Sequence, residues 1–346
     1  MTTKRALTGA NRELFRRAED ERFDTLDALH AHCAGQKERS ADRWLPPREV
    51  VAEARGGGLF LPVGADDPFR MTDWSFGQLC QLAGVDRRTV NRLSADTAAK
   101  VFGETMPGGS KPLQVFTHDR TVRSVHGVGY TRLHNADVVG MVKDVATDFV
   151  PPQKGMNGAT GLYCGEQDLF TFLIDPTGWA EIGGEAFAPG FFVWNSEVGK
   201  RSVGIQTFWF QAVCQNHIVW DAVEVVDFSR KHTAGVGDAL TDIRRHVEQL
   251  VAKRDERRDG FVAAIKKAMG TTLGADAEAA LKELAKHGFP KGLAQEALKL
   301  AERTGRFTVF AVVDALTRLS QQIVYAGERT DADQRAARLL QLALAA

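Results

Sequence analysis

Between Thr117 and His134 the chain packs three arginines, three histidines and one tyrosine into a short stretch: Arg120, Arg123 and Arg132, His118, His126 and His134, and Tyr130. Cations spaced along strands can follow a phosphate backbone while a ring stacks on a base, which is what a single-stranded nucleic-acid groove requires. Arg120, Arg123, Tyr130 and Arg132 are therefore expected to carry such a contact. The competing expectation is the polar outer face of an antiparallel sheet. A second signal runs from Phe76 to Leu93 with the spacing of a helix-turn-helix. In it Asp86 caps the second helix, Val90 and Leu93 face the first, and Arg87, Arg88 and Asn91 point outward toward phosphates or base edges. The same residues also suit a helix pair packed on a neighbouring sheet with solvated arginines. A small sequence reader would not need a hundred-residue sheet downstream.

Basic pairs recur later at Arg244-Arg245, Lys253-Arg254, Arg257-Arg258 and Lys266-Lys267. Lys253 with Arg257, and Arg254 with Arg258, fall four apart and share a helix face, where like charges repel and an anionic partner would relieve them. Asp255, Glu256 and Asp259 lie among them, so a solvated face is the expected reading.

Signatures of common enzymes are absent. The chain has no Gly-x-x-x-x-Gly-Lys-Ser/Thr, no His-Glu-x-x-His and no Gly-x-Ser-x-Gly, so nucleotide hydrolysis, zinc proteolysis and serine hydrolysis lack their usual carriers. His30-Ala-His32-Cys33 is not a ligand set, because on a helix His30 and Cys33 share a face that His32 leaves. Cys214-Gln215-Asn216-His217 holds the residue types of a thiol nucleophile with its base, but triad partners normally converge from separate parts of a fold. Cys214 is expected to be a buried structural thiol. The four cysteines, Cys33, Cys80, Cys164 and Cys214, never form Cys-x-x-Cys, so neither a metal site nor a disulfide framework is indicated, and no cofactor is expected.

The elements that must position these residues follow from the apolar pattern. The chain has 346 residues, 44% of them hydrophobic, with 44 Lys and Arg against 44 Asp and Glu. Zero net charge removes any global attraction to nucleic acid or anionic membrane and leaves only regional arguments. No stretch approaches the ~18 apolar residues of a membrane span, and a soluble cytoplasmic protein is expected. Residues 1–68 read as an N-terminal arm with short helices and a strand near Leu59, broken by Pro46-Pro47 and Gly56-Gly57-Gly58. Residues 69–230 read as an α+β core: a hairpin around His118-Asp119-Arg120, a helix from Leu133 to Phe149, then strands at 161–164, 169–174, 191–194 and 205–210. The short strand connections imply a curved antiparallel sheet packed with helices. Residues 231–346 read as an all-helical C-terminal domain, opening with the seam Val236, Leu240, Ile243, Val247, Leu250. The helices after 276 are expected to cover that seam, although a homo-oligomer could also do so.

Trp194-Asn195-Ser196-Glu197-Val198-Gly199, followed by Phe210 to Trp220, resembles a signature of the phage/plasmid-like protein family called domain of unknown function 932. The match is carried by Asn195, Ser196, Gly199, Val213, Cys214, Gln215 and Asn216. Upstream, Gly129-Tyr130-Thr131-Arg132-Leu133-His134-Asn135 resembles the family's tyrosine-bearing segment before a helix. The resemblance spans roughly residues 71 to 229. Glu197-Val198 stands where the family commonly has His-Asp, so chemistry resting on that pair does not carry over. The resemblance implies a gene carried by phages, prophages or conjugative plasmids. The layout of helix, antiparallel sheet and helical tail is also similar to that of phage single-strand annealing proteins. The expected function is thus a non-enzymatic protein binding single-stranded DNA in recombination. The alternatives are an enzyme with a polar pocket gathering Asn195, Ser196, Cys214, Asn216 and His217, or a protein-binding regulator using the helical domain.

Overall fold

The computed structural model describes residues 14–64, 68–153, 161–212, 216–218, 227–303 and 307–345, with backbone alone at 216, 217 and 227. β1 (Glu21–Phe23) is followed by α1 (Leu26–Glu38), whose first turn is closed by Thr25 Oγ1 accepting the Ala28 N–H at 3.1 Å. Next come β2 (Ser40–Leu45), β3 (Glu53–Arg55), β4 (Gly58–Leu61) and β5 (Phe69–Met71). α2 (Asp73–Leu82) starts with a reciprocal Thr72–Ser75 capping box. Gly84, at φ +67°, turns the chain into α3 (Arg87–Val90), and α4 (Ala95–Thr105) follows.

β6 (Leu113–His118) and β7 (Thr121–His126) form the expected hairpin. Its two-residue loop holds Asp119 at φ +48°, a conformation that Asp tolerates better than most side chains. α5 (Asn135–Val145) leads to β8 (Leu162–Cys164), β9 (Leu169–Ile174), β10 (Ala180–Ile182), β11 (Glu185–Asn195), β12 (Val203–Gln211), β13 (Asn216–Ile218) and β14 (Asp227–Arg230). The remainder is helical: α6 (Ala239–Ala252), α7 (Arg254–Gly270), α8 (Ala277–Lys286), α9 (Lys291–Glu302), α10 (Val309–Ser320), α11 (Ala326–Ala337) and α12 (Leu340–Ala345).

The fold is α+β with antiparallel sheets that do not close and a helical C-terminal region. The strands divide between two sheets. The large sheet runs β1-β8-β9-β11-β12-β13, with β10 on β11 and β14 on β12; the small sheet runs β2-β6-β7-β5-β4-β3, and its β5–β7 pair is parallel. The segment expected as an N-terminal arm is threaded through both sheets: β1 pairs with β8, β2 with β6, and β4 with β5 across residue 68. Buried Leu59, Leu61 and Val63 give it a core of its own to join.

One face of the large sheet, carrying Phe191, Val193, Val203 and Ile205, packs against α1, α5 and α6. The seam of α6 is buried as its spacing requires, with Ile243, Val247 and Leu250 at most 2% exposed, but the sheet and α5 cover it. The helices after 276 instead close over Ile182, Phe187, Trp209 and Phe261. Of the basic pairs expected on a solvated face of α6 and α7, Arg245 meets Asp242 and Arg258 meets Asp255 and Asp259, but Arg254 reaches the buried Asp175 and Arg257 is only 4% exposed.

Candidate functional site

The small sheet is buried on one face and covered over β6 and β7 on the other, with Asp42 and Trp44 of β2 exposed at its rim. The buried face is apolar, with Leu113, Val115, Val122 and Val125 against α2 and α4. On the other, the register aligns Trp44 with Gln114 and His126, and Asp42 with Phe116 and Ser124. Onto this polar face folds the segment 127–135, and onto that segment the turn 195–199 after β11.

Arg132 lies flat on Phe116, its guanidinium carbon 3.6 Å from the ring centroid and its side chain only 3% exposed. Nε and Nη2 donate to the Asp42 carboxylate at 3.1 and 2.7 Å, and Nη1 donates to the Glu197 carbonyl. Such a bidentate pair fixes the guanidinium plane as well as its position. Tyr130 is stacked between two imidazoles, His126 at 3.7 Å and His232 at 5.4 Å, and its hydroxyl donates to the Glu197 carbonyl at 2.8 Å. Gly199, at φ +75°, allows this approach: a Cβ there would stand 2.7 Å from His126 Cε1 and 3.0 Å from a Tyr130 ring carbon.

Glu197 sits at the centre of the junction. α5 has no side-chain cap of its own, and Glu197 Oε1 supplies one from 62 positions away, accepting the Asn135 N–H at 2.7 Å. His134 Nδ1 is 3.5 Å from the same oxygen. Burial raises the carboxyl, but the His134 contact, the Arg123 charge and the Asn135 N–H outweigh it and hold Glu197 below the usual range. It is therefore an ionised carboxylate on a helix N-terminus. Asn195 ties the turn to the same helix, its Nδ2 donating to Leu133 O at 2.9 Å and Asn135 Oδ1 at 2.8 Å. Ser196 Oγ donates to Gln167 O and accepts the Lys200 N–H.

Charge is scarce on the rest of this face. Burial, helped by the Arg132 charge, pushes His126 down to about 4, and burial likewise lowers His232, so both rings are neutral near pH 7. Burial raises the Tyr130 hydroxyl well above its ordinary value. Buried atoms here without a hydrogen-bond partner include Gln114 Oε1, Ser124 Oγ, Asn195 Oδ1 and Arg123 Nε. Unpaired polar atoms are costly in a packed interior, so this junction is held less firmly than the apolar face behind it.

Of the residues expected to contact nucleic acid, the fold brings Arg123, Tyr130 and Arg132 together at this junction, and all three serve it internally. Arg123, 6% exposed, donates to the Glu166 carbonyl at 3.2 Å. Both faces of Tyr130 are occupied, and Arg132 is spent on Asp42. Arg120 lies apart, exposed at the hairpin tip and 4.6 Å from the Phe69 ring.

The helix pair exists, with Asp86 capping Thr89 N at 2.8 Å and Val90 buried, but α3 is a single turn, too short to act as a reading helix. Arg87 bonds Asp73, Arg88 is exposed, and Asn91, expected to point outward, is pinned to the Phe15 backbone at 2.9 and 3.2 Å. Val213, Cys214 and Gln215 lie outside the described residues, as do the side chains of Asn216 and His217. Asp42, His232 and the capping role of Glu197 were not anticipated. Asp42 and His232 carried no local signal, whereas Glu197 was visible only as a departure from the family's pair.

Among the described residues no group of three or more His, Cys, Asp or Glu is placed to hold a metal ion, and no helix is long and apolar enough to cross a membrane. No family model matches the chain, and no curated protein or solved structure matches it either.

Proposed function

We propose that the chain is a non-enzymatic nucleic-acid-binding protein of a mobile genetic element, related to the domain of unknown function 932 family, and that it takes single-stranded DNA on the polar face of the small sheet. The observation that carries this reading is convergence: Arg123, Tyr130 and Arg132, chosen on sequence grounds, meet at one junction with His118, His126, His134 and His232 nearby. A second aromatic supports it, because Trp44 is 49% exposed at the rim of the same face. On this reading the described conformation is the closed one. A strand binds by parting segment 127–135 from the sheet and replacing Asp42 and the Glu197 carbonyl with phosphates as the partners of Arg132. The cost of opening lowers the apparent affinity in proportion to the rarity of the open form.

Titration of a labelled oligonucleotide at two salt concentrations tests this. Affinity should fall as salt rises, and Arg132→Gln should reduce the slope of log affinity against log salt by roughly 0.7. Asp42→Asn, which releases Arg132, should tighten binding, whereas Trp44→Ala should weaken it by about 1–3 kcal/mol with little change in slope. Absence of binding at low salt by both the unaltered chain and Asp42→Asn would overturn the proposal.

A further inference from the structure

α11 is where distant parts of the chain are joined. Its Ala326 N–H donates to Asp20 Oδ2 at 2.8 Å, the neighbouring Tyr325 hydroxyl donates to the Arg17 carbonyl at 3.1 Å, and Asp331 receives both terminal nitrogens of Arg201 at 2.8 and 2.9 Å. On its inner side the accounting is incomplete. Asp333, 2% exposed, contacts Ser320, the last residue of α10. The Ser320 hydroxyl has one proton and two acceptors beside it, the Thr317 carbonyl at 2.8 Å and Asp333 Oδ1. A single proton cannot satisfy both. Both contacts are hydrogen bonds only when Asp333 carries a proton and donates it to Ser320 Oγ, leaving the serine proton for Thr317.

One turn earlier on α11, Arg329 is 7% exposed, with Nε and Nη2 unpartnered and its guanidinium 5.0 Å from the Tyr163 ring; the Tyr163 hydroxyl is unpartnered as well. Residues four apart on a helix face the same way, so Arg329 is within reach of Asp333.

The geometry points to a proton-operated switch: neutral Asp333 holds α11 to α10 through Ser320, and ionised Asp333 turns to Arg329 within α11 and releases Ser320. The groups facing Asp333 are Ser320 from α10 and Arg329 from its own helix, with the Tyr163 hydroxyl of β8 behind Arg329, and Arg329 is the charge that acts on it. Burial pushes the Asp333 carboxyl up to about 7, against the Arg329 charge. The switch therefore turns near neutral pH. It is independent of what the polar face of the small sheet binds.

Infrared titration of the full chain tests it. A protonated-carboxyl band should titrate near neutrality, disappear in Asp333→Asn, and shift its midpoint upward by about one pH unit, a tenfold change in proton affinity, in Arg329→Gln. Cleavage of the link between α10 and α11 by a protease should accelerate from about pH 6 to about pH 8 in the unaltered chain relative to Asp333→Asn. If Asp333→Asn does not fold, the unaltered chain and Arg329→Gln still decide the question by infrared. Lack of a titrating buried carboxyl, an unmoved midpoint in Arg329→Gln, or equal cleavage profiles would overturn the switch.

Discussion

Glu197→Gln should destabilise the fold by about 2–4 kcal/mol at neutral pH, and the figure follows from the residue's surroundings. The glutamine keeps an acceptor for the Asn135 N–H, so the cap on α5 survives in weakened form. What is lost is the charge that Arg123 and His134 face across a 3% exposed site. Removing one partner of a buried pair typically costs about 3–5 kcal/mol. Relief of the carboxylate's desolvation and the retained neutral bond return about 1 kcal/mol. The loss should also depend on pH in a definite direction. Glu197 is held below its ordinary 4.5, so its contribution is complete above that value and disappears as pH falls through the lower folded pKa. Urea unfolding followed by tryptophan fluorescence and circular dichroism should show the two proteins well separated at neutral pH and converging in acid. A difference under about 0.5 kcal/mol at neutral pH, the range of ordinary surface substitutions, would refute this account of the junction, as would a gap that acid leaves unchanged.

Two further outcomes test the packing. Gly199→Ala puts a Cβ in the left-handed region, 2.7 Å from His126 Cε1, and should cost about 2 kcal/mol or more with a matching drop in melting temperature; an unchanged melt would mean the His126–Tyr130 stack shifts freely. A chain ending at residue 235 loses Ile243, Val247 and Leu250 from the core they share with Phe191, Val193 and Ile205, so it should aggregate or lack a cooperative transition, and a soluble, cooperative product would contradict that packing.

Periodic elements were legible because their signals are local. The β6–β7 hairpin, the helix after Leu133, the strands β9 and β12, and the stop at Gly288 and Pro290 each lie within a few residues of where the spacing puts them, whereas β11 begins six residues before the expected 191–194. β2 was not legible: Ser-Ala-Asp-Arg-Trp-Leu has no apolar alternation, and it becomes a strand by pairing with β6 from 68 to 78 positions away. The three-residue strands β1, β10 and β13 are too short to show a period. The α6 seam illustrates another limit, since four-three spacing buries one helix stripe equally well against a helix or a sheet and does not name the partner. At the junction the residue types were visible and their occupation was not. An arginine expected to contact a nucleic-acid backbone is spent on a carboxylate 90 residues earlier, and nothing within a strand's length of Arg132 points to Asp42.

The bonds joining Asp20 and Arg17 to α11 span 306 and 308 positions. On a ribosome adding roughly 5–20 residues per second, the first of these partners waits on the order of 15–60 seconds for the second to be made. Until then Asp20 has Arg17, which bridges it to Asp168 at 3.2 and 3.1 Å, while Arg201 bonds Asp168. β1 can therefore settle on the large sheet early, but its anchorage is completed only after the helical region has been synthesised and docked. For that interval the nascent chain is an open clasp, exposed to chaperones and proteases.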